Sequence, residues 1–486
     1  MRWGTALLSL AVGCSAGSGG SGVEDTDGPM VAESSGGQAD TGTPSTTDSS
    51  EMGSASTGPW GTSGGPETSA GSDESGEPGT PRCQDGTADP GEQCDDGNDV
   101  NGDGCNRDCR VSGQLVWQTS FGSGFGQVEQ AFGVMPGADG SALVSGYVSA
   151  DATGTRDGWL GRYGPAGAIA WEYTLSGPGG GNDEIRAVAD DGAGNLYAAG
   201  YTNGPTGQGN DAWVARFDET GMLVWSTTFN GPDSMTDVYD AVAIDGDGNL
   251  VLGGYSQSAT SGNDVFLRKL DPSDGSALWS RVFPGPNGGT DLVWDVGVSP
   301  AGHIYAAGYE DGPAGEGRNA WLAKFDTDGN EIWTRSFNGP ESLDDQLIGL
   351  AVVDEDDVVV SGYENGASYP WQAIVRRYDS LGMIVWTDRY PGATMEGAHA
   401  FGLTVDPDDG QLAMTGGEVI DGVRHVLVRK YDPEGNELWT SLIPGGAAGP
   451  DYGREVSVAP NGDVWIAGAV DTGADARDVW CARFTP

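Results

Sequence analysis

Side chains able to bind or catalyse recur at a fixed interval in this 486-residue chain. Glu129, Asp183, Asp237, Asp291 and Asp345 stand 54 apart, His399 falls in the same sequence register, and Asp451 follows. A ring of carboxylates offers hard oxygens to a cation or a docking surface to a basic partner. The same acid repeated in most copies also serves to cap a turn, by accepting backbone N–H bonds. A second series, Tyr147, Tyr201, Tyr255, Tyr309 and Tyr363, gives way to Gly417 and Ala469 in the last two copies. Aromatic planes beside Asp and Asn suit sugar rings, which stack by their apolar faces; the same tyrosines also suit packing of one repeat on the next. A functional site tends to break a repeat, which singles out His399 with nearby Glu396. Arg162, Arg216, Lys269, Lys324, Arg377, Lys430 and Arg483 recur once per copy, a pattern expected of internal ion pairs.

Dedicated catalytic constellations do not stand out. The three histidines, His303, His399 and His425, fall in different repeats, and the sequence has neither a Gly-x-Ser-x-Gly elbow nor a His-Glu-x-x-His helix. Cys481 sits within an apolar strand and reads as a buried small hydrophobe. With 72 acidic residues, any chosen carboxylate pair for glycoside cleavage is uninformative. The expectation is a non-catalytic domain that binds or scaffolds a protein or a polysaccharide at one rim. The alternative is an enzyme of extracellular polysaccharide, hydrolase or lyase, or a quinoprotein-like oxidoreductase.

The elements that position these residues are announced by tryptophan, at 117, 171, 225, 279, 333, 386 and 439. A period near 50 residues of short strands is that of propeller blades. The copy from Asp237 to Phe283 reads as four strands, Ala241 to Asp245, Leu250 to Tyr255, Asp264 to Leu270 and Ala277 to Phe283, joined by glycine-rich turns. In the fourth strand of the preceding copy Leu223, Trp225, Thr227 and Phe229 share one side by alternation and are expected to pack on the next blade. The repeats begin with a fourth strand near Trp117 and finish with a third near Trp480. Pairing the two ends would complete a seventh blade and remove two exposed edges. The fold expected is therefore all-β, a seven-bladed β-propeller over residues 112–486, with its longer loops on one rim around a central channel.

Ahead of it the composition changes. The short apolar run after Met1-Arg2-Trp3 reads as an export signal over residues 1–14. Residues 15–81 are nearly all Ser, Gly, Thr, Pro, Asp and Glu, an acidic linker with no means of burying a core and a mean span of roughly 45–50 Å as a flexible coil. Residues 82–111 hold Cys83, Cys94, Cys105 and Cys109, an even set that in an exported chain reads as two disulfides with the pairing left open. Between them Asp95, Asp96, Asn98, Asp99, Asn101 and Asp103 could supply oxygens to calcium, the one cofactor considered, or could make side-chain turns. The formal charge of -49 opposes nucleic acid and anionic bilayers as partners. A monomer is expected.

Four resemblances refine this. Val12-Gly13-Cys14 resembles the bacterial lipobox, which implies lipidation of Cys14 and a place on the bacterial outer membrane or cell surface; Ala11 departs from the leucine preferred there, and plain secretion or a periplasmic location is the alternative. The run from Cys94 through Asp95-Asp96-Gly97-Asn98 to Asn101-Gly102-Asp103-Gly104-Cys105 is similar to the Myxococcus cysteine-rich repeat. Asp211 to Asp218 and Gly194 to Tyr201 resemble the bacterial β-propeller repeat of exported proteins. More loosely, Ala215 through Trp225 resembles the tryptophan-docking motif of quinoprotein dehydrogenases and of a propeller lipoprotein in outer-membrane assembly. That likeness implies a blade-locking role for the tryptophans, not a catalytic one.

Overall fold

The computed structural model describes residues 86–88 and 92–486, apart from 138, 206–207, 315, 340, 342, 355, 367–368, 446–451 and 474–475. Cys14, Cys83, Asp451 and the acidic linker lie outside the described residues. No helix among those described is long and apolar enough to cross a membrane.

Short strands apolar on both faces can be buried only by stacking sheet on sheet. Among the described residues 28 strands form seven antiparallel four-stranded sheets, six of them in simple sequential order. The seventh is composite: Leu115–Phe121 is hydrogen-bonded to Ala476–Phe484, beside Val464–Gly473 and Tyr452–Val458. The register runs from Trp117 opposite Arg483 to Phe121 opposite Val479. The missing hairpin turn is rebuilt without a covalent link, Gly113 N donating to the Pro486 carbonyl at 3.2 Å and Thr485 N to the Gln114 carbonyl at 2.9 Å. Closure of the ring by the two ends is thus as the half-blades at the termini imply.

Each blade departs from ideal alternation at two bulges, and both explain where the sequence reading slips. In the third blade the innermost strand is Asp237–Ile244, longer at its start than the pattern suggests. Asp240 is skipped between the pairs Tyr239 with Gly254 and Ala241 with Gly253, so the period-two signal fails there. In the fourth strand of the second blade Val224 is skipped between the pairs Phe217 with Leu223 and Arg216 with Trp225. That extra residue turns Leu223 away: it is 40 % exposed, while Trp225 and Phe229 pack into the cluster shared with the third blade.

The core lies between sheets. Val251, Val265 and Leu267 of the third blade interlock with Val296, Ile304, Trp321 and Phe325 of the fourth. At the periphery each fourth-strand tryptophan docks on the following blade. Indole Nε1 of Trp225, Trp279, Trp333 and Trp386 donates to the carbonyls of Pro272, Thr327, Ser380 and Pro433 at 3.0, 3.1, 3.1 and 3.3 Å. Each acceptor lies in the turn before the next fourth strand. That turn needs glycine: Gly275 has φ 74°, and a Cβ there would meet Trp225 at 2.8 Å. The tryptophan-docking role implied by the sequence is the geometry found.

The recurring cations sit behind these indoles. Lys269 pairs with Asp245 at 2.6 Å and Lys324 with Asp356 at 2.6 Å, each also donating to the turn that receives the tryptophan. Arg162, Arg377 and Arg483 likewise meet Asp139, Asp357 and Asp463. Arg216 departs from the expected ion pair and donates to Asn195 Oδ1.

The cysteine-rich segment packs on the sixth and seventh blades. Gln411 Nε2 donates to the Asn101 carbonyl at 2.7 Å, and Arg110 pairs with Asp463 at 2.8 Å. Cys94 is bonded to Cys105, and Cys109 is also in a disulfide.

Candidate functional site

The repeated carboxylates are interior. Glu129, Asp183, Asp237, Asp291 and Asp345 are each 0–1 % exposed. Every one ties the loop that enters its blade to the end of the neighbouring strand. Asp183 accepts from Gly177 N at 2.9 Å and Asn203 N at 2.7 Å, Asp291 from Gly285 N at 2.9 Å and Asp311 N at 2.8 Å, Asp345 from Gly339 N at 2.5 Å and Asn365 N at 2.8 Å. Asp237 accepts from Gly231 N and Ser256 Oγ, Glu129 from Ser123 N and Ser149 N. The loop entering each blade has amides with no strand partner, and a buried amide must find an acceptor. These side chains supply it, so they are not the rim surface for a cation or partner that their spacing suggests. Burial pushes Asp291 and Asp345 up to about 6 against the pull of those N–H bonds.

In the sixth blade the register expectation is also corrected. Gly416, which matches Gly362 of the fifth blade, pairs with Ala400, whereas Gly362 pairs with Leu347. Ala398 therefore occupies the place of Asp345, and His399 lies one step inward, level with Gln346. The lost carboxylate is restored from across the ladder: Glu418, opposite Ala398, is fully buried and accepts from Ala393 N at 2.5 Å and from Tyr390 Oη at 2.8 Å. Glu396 does not pair with the histidine; it accepts from Asp421 N and Gly422 N at 3.3 and 2.9 Å.

His399 is 8 % exposed and lies among rings, 4.9 Å from Trp371, 5.0 Å from Tyr363 and 5.7 Å from Phe401. Burial, and secondarily the charge of Arg424, push its imidazole down to about 3. It is a neutral ring at physiological pH. The other tyrosines of the series offer no open platform: Tyr201, Tyr255 and Tyr309 are buried in one cluster with Leu292 and Trp294. Arg318 covers Tyr309 at 4.4 Å and Arg186 covers Tyr201 at 5.2 Å. Tyr363 is half-buried, edge-on to His399.

The channel holds what the sequence reading missed. Each innermost strand bulges at the third place after the repeated acid, and the bulged residue faces the axis: Phe132, Arg186, Asp240, Trp294, Ile348, Phe401 (with Gly402) and Arg454. The bulge thrusts a carbonyl onto the second strand. A Cβ on Gly146, Gly200, Gly254, Gly308, Gly362, Gly416 or Gly468 would lie 1.9–2.2 Å from it, which accounts for that glycine in all seven copies. Positions that pack blades repeat; this one changes character in nearly every blade. The signal was therefore available as the most variable site beside an invariant glycine.

These side chains line a cavity of about 230 Å³. Arg186 is tied to Asp240 at 2.5 Å and Glu184 at 3.0 Å. Arg454 is not tied: among the described residues it has no ion pair or hydrogen bond, and its guanidinium lies 5.1 Å from the Trp294 ring, 5.4 Å from Phe401 and 5.8 Å from Phe132. The next wall position is Gly or Ala in five blades but Asp295 and Glu455 in the fourth and seventh. Asp295 accepts from Leu350 N at 2.7 Å and Glu455 from Val456 N at 3.0 Å. Burial raises both carboxyls, and Asp295 raises Glu455 further. The cavity thus joins an aromatic wall, one cation without an ion pair and two acids whose carboxyls burial raises.

Elsewhere the candidates are structural. His303 bonds Asp356 at 2.9 Å beside Lys324, and burial pushes the Cys481 thiol up to about 12. In the cysteine-rich segment the candidate calcium oxygens serve turns. Asp95 accepts from Gly86 N and Gly97 N, Asp96 from Asn98 N, Asn98 from Val100 N and Asn101 from Arg107 N, while Asp103 accepts from Asn98 Nδ2. No group of three acidic, histidine or cysteine side chains among the described residues converges to hold a metal.

No family model matches the chain, and no curated protein matches it. Among solved structures it is similar to the RRP9 WD40 repeats, with a TM-score of 0.51 and 11% identity over 77% of this chain and 99% of that one. The β-propeller domain of the Trilobed protease from Pyrococcus furiosus gives 0.41 and 10% over 72% and 93%. Sqt1 from Chaetomium thermophilum gives 0.42 and 14% over 72% and 83%. At such identity the first match supports the propeller fold alone.

Proposed function

We propose that this propeller is a non-catalytic binding domain that takes its ligand at the channel mouth, on the face where the long loops meet. The observation that carries the reading is the ring of bulged residues. A scaffold with repeated packing positions varies at the bulged position of each blade, which faces the cavity. Titration of candidate glycans and peptides against the full chain and against Ile348→Arg, whose longer side chain would enter the cavity, tests it. Binding lost in the variant agrees with the reading, and binding unchanged refutes it.

Asp295 and Glu455 are the acids on which a polysaccharide-cleaving alternative would rest. Product release from a bound glycan, abolished by Glu455→Gln, would replace the binding reading with that one. We also propose that the chain is exported and held at a bacterial surface by lipid on Cys14, its linker setting the propeller off the envelope. Cys14→Ala, or globomycin treatment, would then release it from the membrane fraction, and unchanged fractionation would refute the anchor.

A further inference from the structure

We propose that the axial cavity seats one sugar ring bearing a carboxylate, of the uronic-acid kind, with Arg454 gripping the carboxylate. This rests on the channel-mouth reading above and names its ligand.

Four features lead there. First, the Arg454 fork has no acceptor among the described residues, in a chain with 72 acidic and 23 basic residues. Its guanidinium lies beside the rings of Trp294, Phe401 and Phe132, and its charge acts on the adjacent Glu455 without a hydrogen bond to it. A planar guanidinium matches a planar carboxylate through two parallel N–H bonds. Second, the aromatic wall is fixed: Trp294 Nε1 donates to Gln346 Oε1 at 3.2 Å, and Phe401 lies 5.7 Å from Tyr452. Arg454 itself lies over these rings, so a pyranose stacks on them by its apolar face once the guanidinium turns toward the sugar's carboxylate. Third, the space of about 230 Å³ admits a single ring and not a folded segment of protein. Fourth, Asp295, Glu455 and Asp240 stand on the same wall, able to hydrogen-bond sugar hydroxyls. They would oppose a doubly charged phosphate more than a singly charged carboxylate. Arg424 and Arg477 flank the Tyr452 ring at 6.0 and 5.6 Å, adding positive charge behind Phe401.

The experiment is calorimetric titration of the full chain with a panel of uronic-acid oligosaccharides, their methyl esters, and peptides with free or amidated C-termini. A uronate is expected to bind, with esterification weakening it about ten-fold or more, the worth of a charge-assisted pair. Arg454→Leu is expected to abolish the difference between acid and ester while the thermal unfolding curve stays in place. Equal affinity for acid and ester would overturn the carboxylate assignment. Binding confined to free C-terminal peptides would overturn the sugar assignment and leave the channel-mouth reading intact. No binding by any member of the panel overturns this inference, and the channel-mouth reading falls separately if a ligand found by other means ignores Ile348→Arg.

Discussion

Gly254→Ala isolates the feature that creates the site. The added methyl would stand 2.1 Å from the Val238 carbonyl oxygen and 3.0 Å from Asp240 N. Ordinary contact requires well over 3 Å, and both neighbours are backbone, so no side chain can swing aside. Either the two strands part or the bulge at Asp240 flattens into the ladder. Overpacking of this kind costs about 3 kcal/mol, the upper part of its usual range. Gly246, in the turn of the same hairpin, is the control: a Cβ there meets nothing within 4 Å. Gly246→Ala should leave stability unchanged or raise it by up to about 1 kcal/mol, through the unfolded chain's lost freedom. Urea unfolding of both variants, followed by tryptophan fluorescence, measures the difference. If Gly254→Ala unfolds within about 0.5 kcal/mol of the parent, the bulge is not what demands glycine, and the axial placement of Asp240 loses its physical basis.

Other expectations follow from the same contacts. Trp225→Ala should cost about 3 kcal/mol by opening a void over Gly275, and Trp225→Phe about 1 kcal/mol for the lost bond to Pro272, both read by urea midpoint. Because burial lowers His399 from 6.5 to about 3, the folded state binds fewer protons than the unfolded one between those values. Stability present above pH 6.5 is lost as pH falls, by up to about 1.4 kcal/mol per pH unit from this group. His399→Phe should flatten the acid limb by that amount in unfolding curves at pH 7, 5 and 4, and parallel curves would contradict the burial argument. Arg110→Ala removes a partner of Asp463, whose side chain is 3% exposed. It should loosen the cysteine-rich segment, seen as faster limited proteolysis ahead of residue 112, and an unchanged digest would show that the segment is held by other contacts.

The blade count, the closing pair of strands and the tryptophan docking were legible because each depends on short-range signals repeated seven times. Gly275 below Trp225 is a turn residue and a packing residue at once, and periodicity reveals both. The bulges were not legible, because a skipped residue such as Val224 or Asp240 looks like a fault in alternation until the ladder is seen. That single omission displaced two conclusions. It put Leu223 on the wrong face, and it directed attention to the repeated Asp at the blade entrance rather than to the residue three places on. Repetition itself misled in the case of Asp183 and Asp237. Similar loops pose one backbone problem blade after blade, and among the described residues a buried carboxylate solves it each time. His399 was noticed for breaking the series, yet a period shortened by one residue had moved Ala398 into that slot, a change that only Glu418 across the strand makes intelligible.

Hydrogen–deuterium exchange on the full chain, with and without a bound uronate or whichever titrated ligand binds, tests the central claim most directly. The account predicts new protection on the innermost strands around Trp294, Phe401 and Arg454, with the outer strands from Leu223 to Phe229 and from Ala277 to Phe283 unchanged. Protection confined to those outer strands, with the channel wall unaffected, would contradict it.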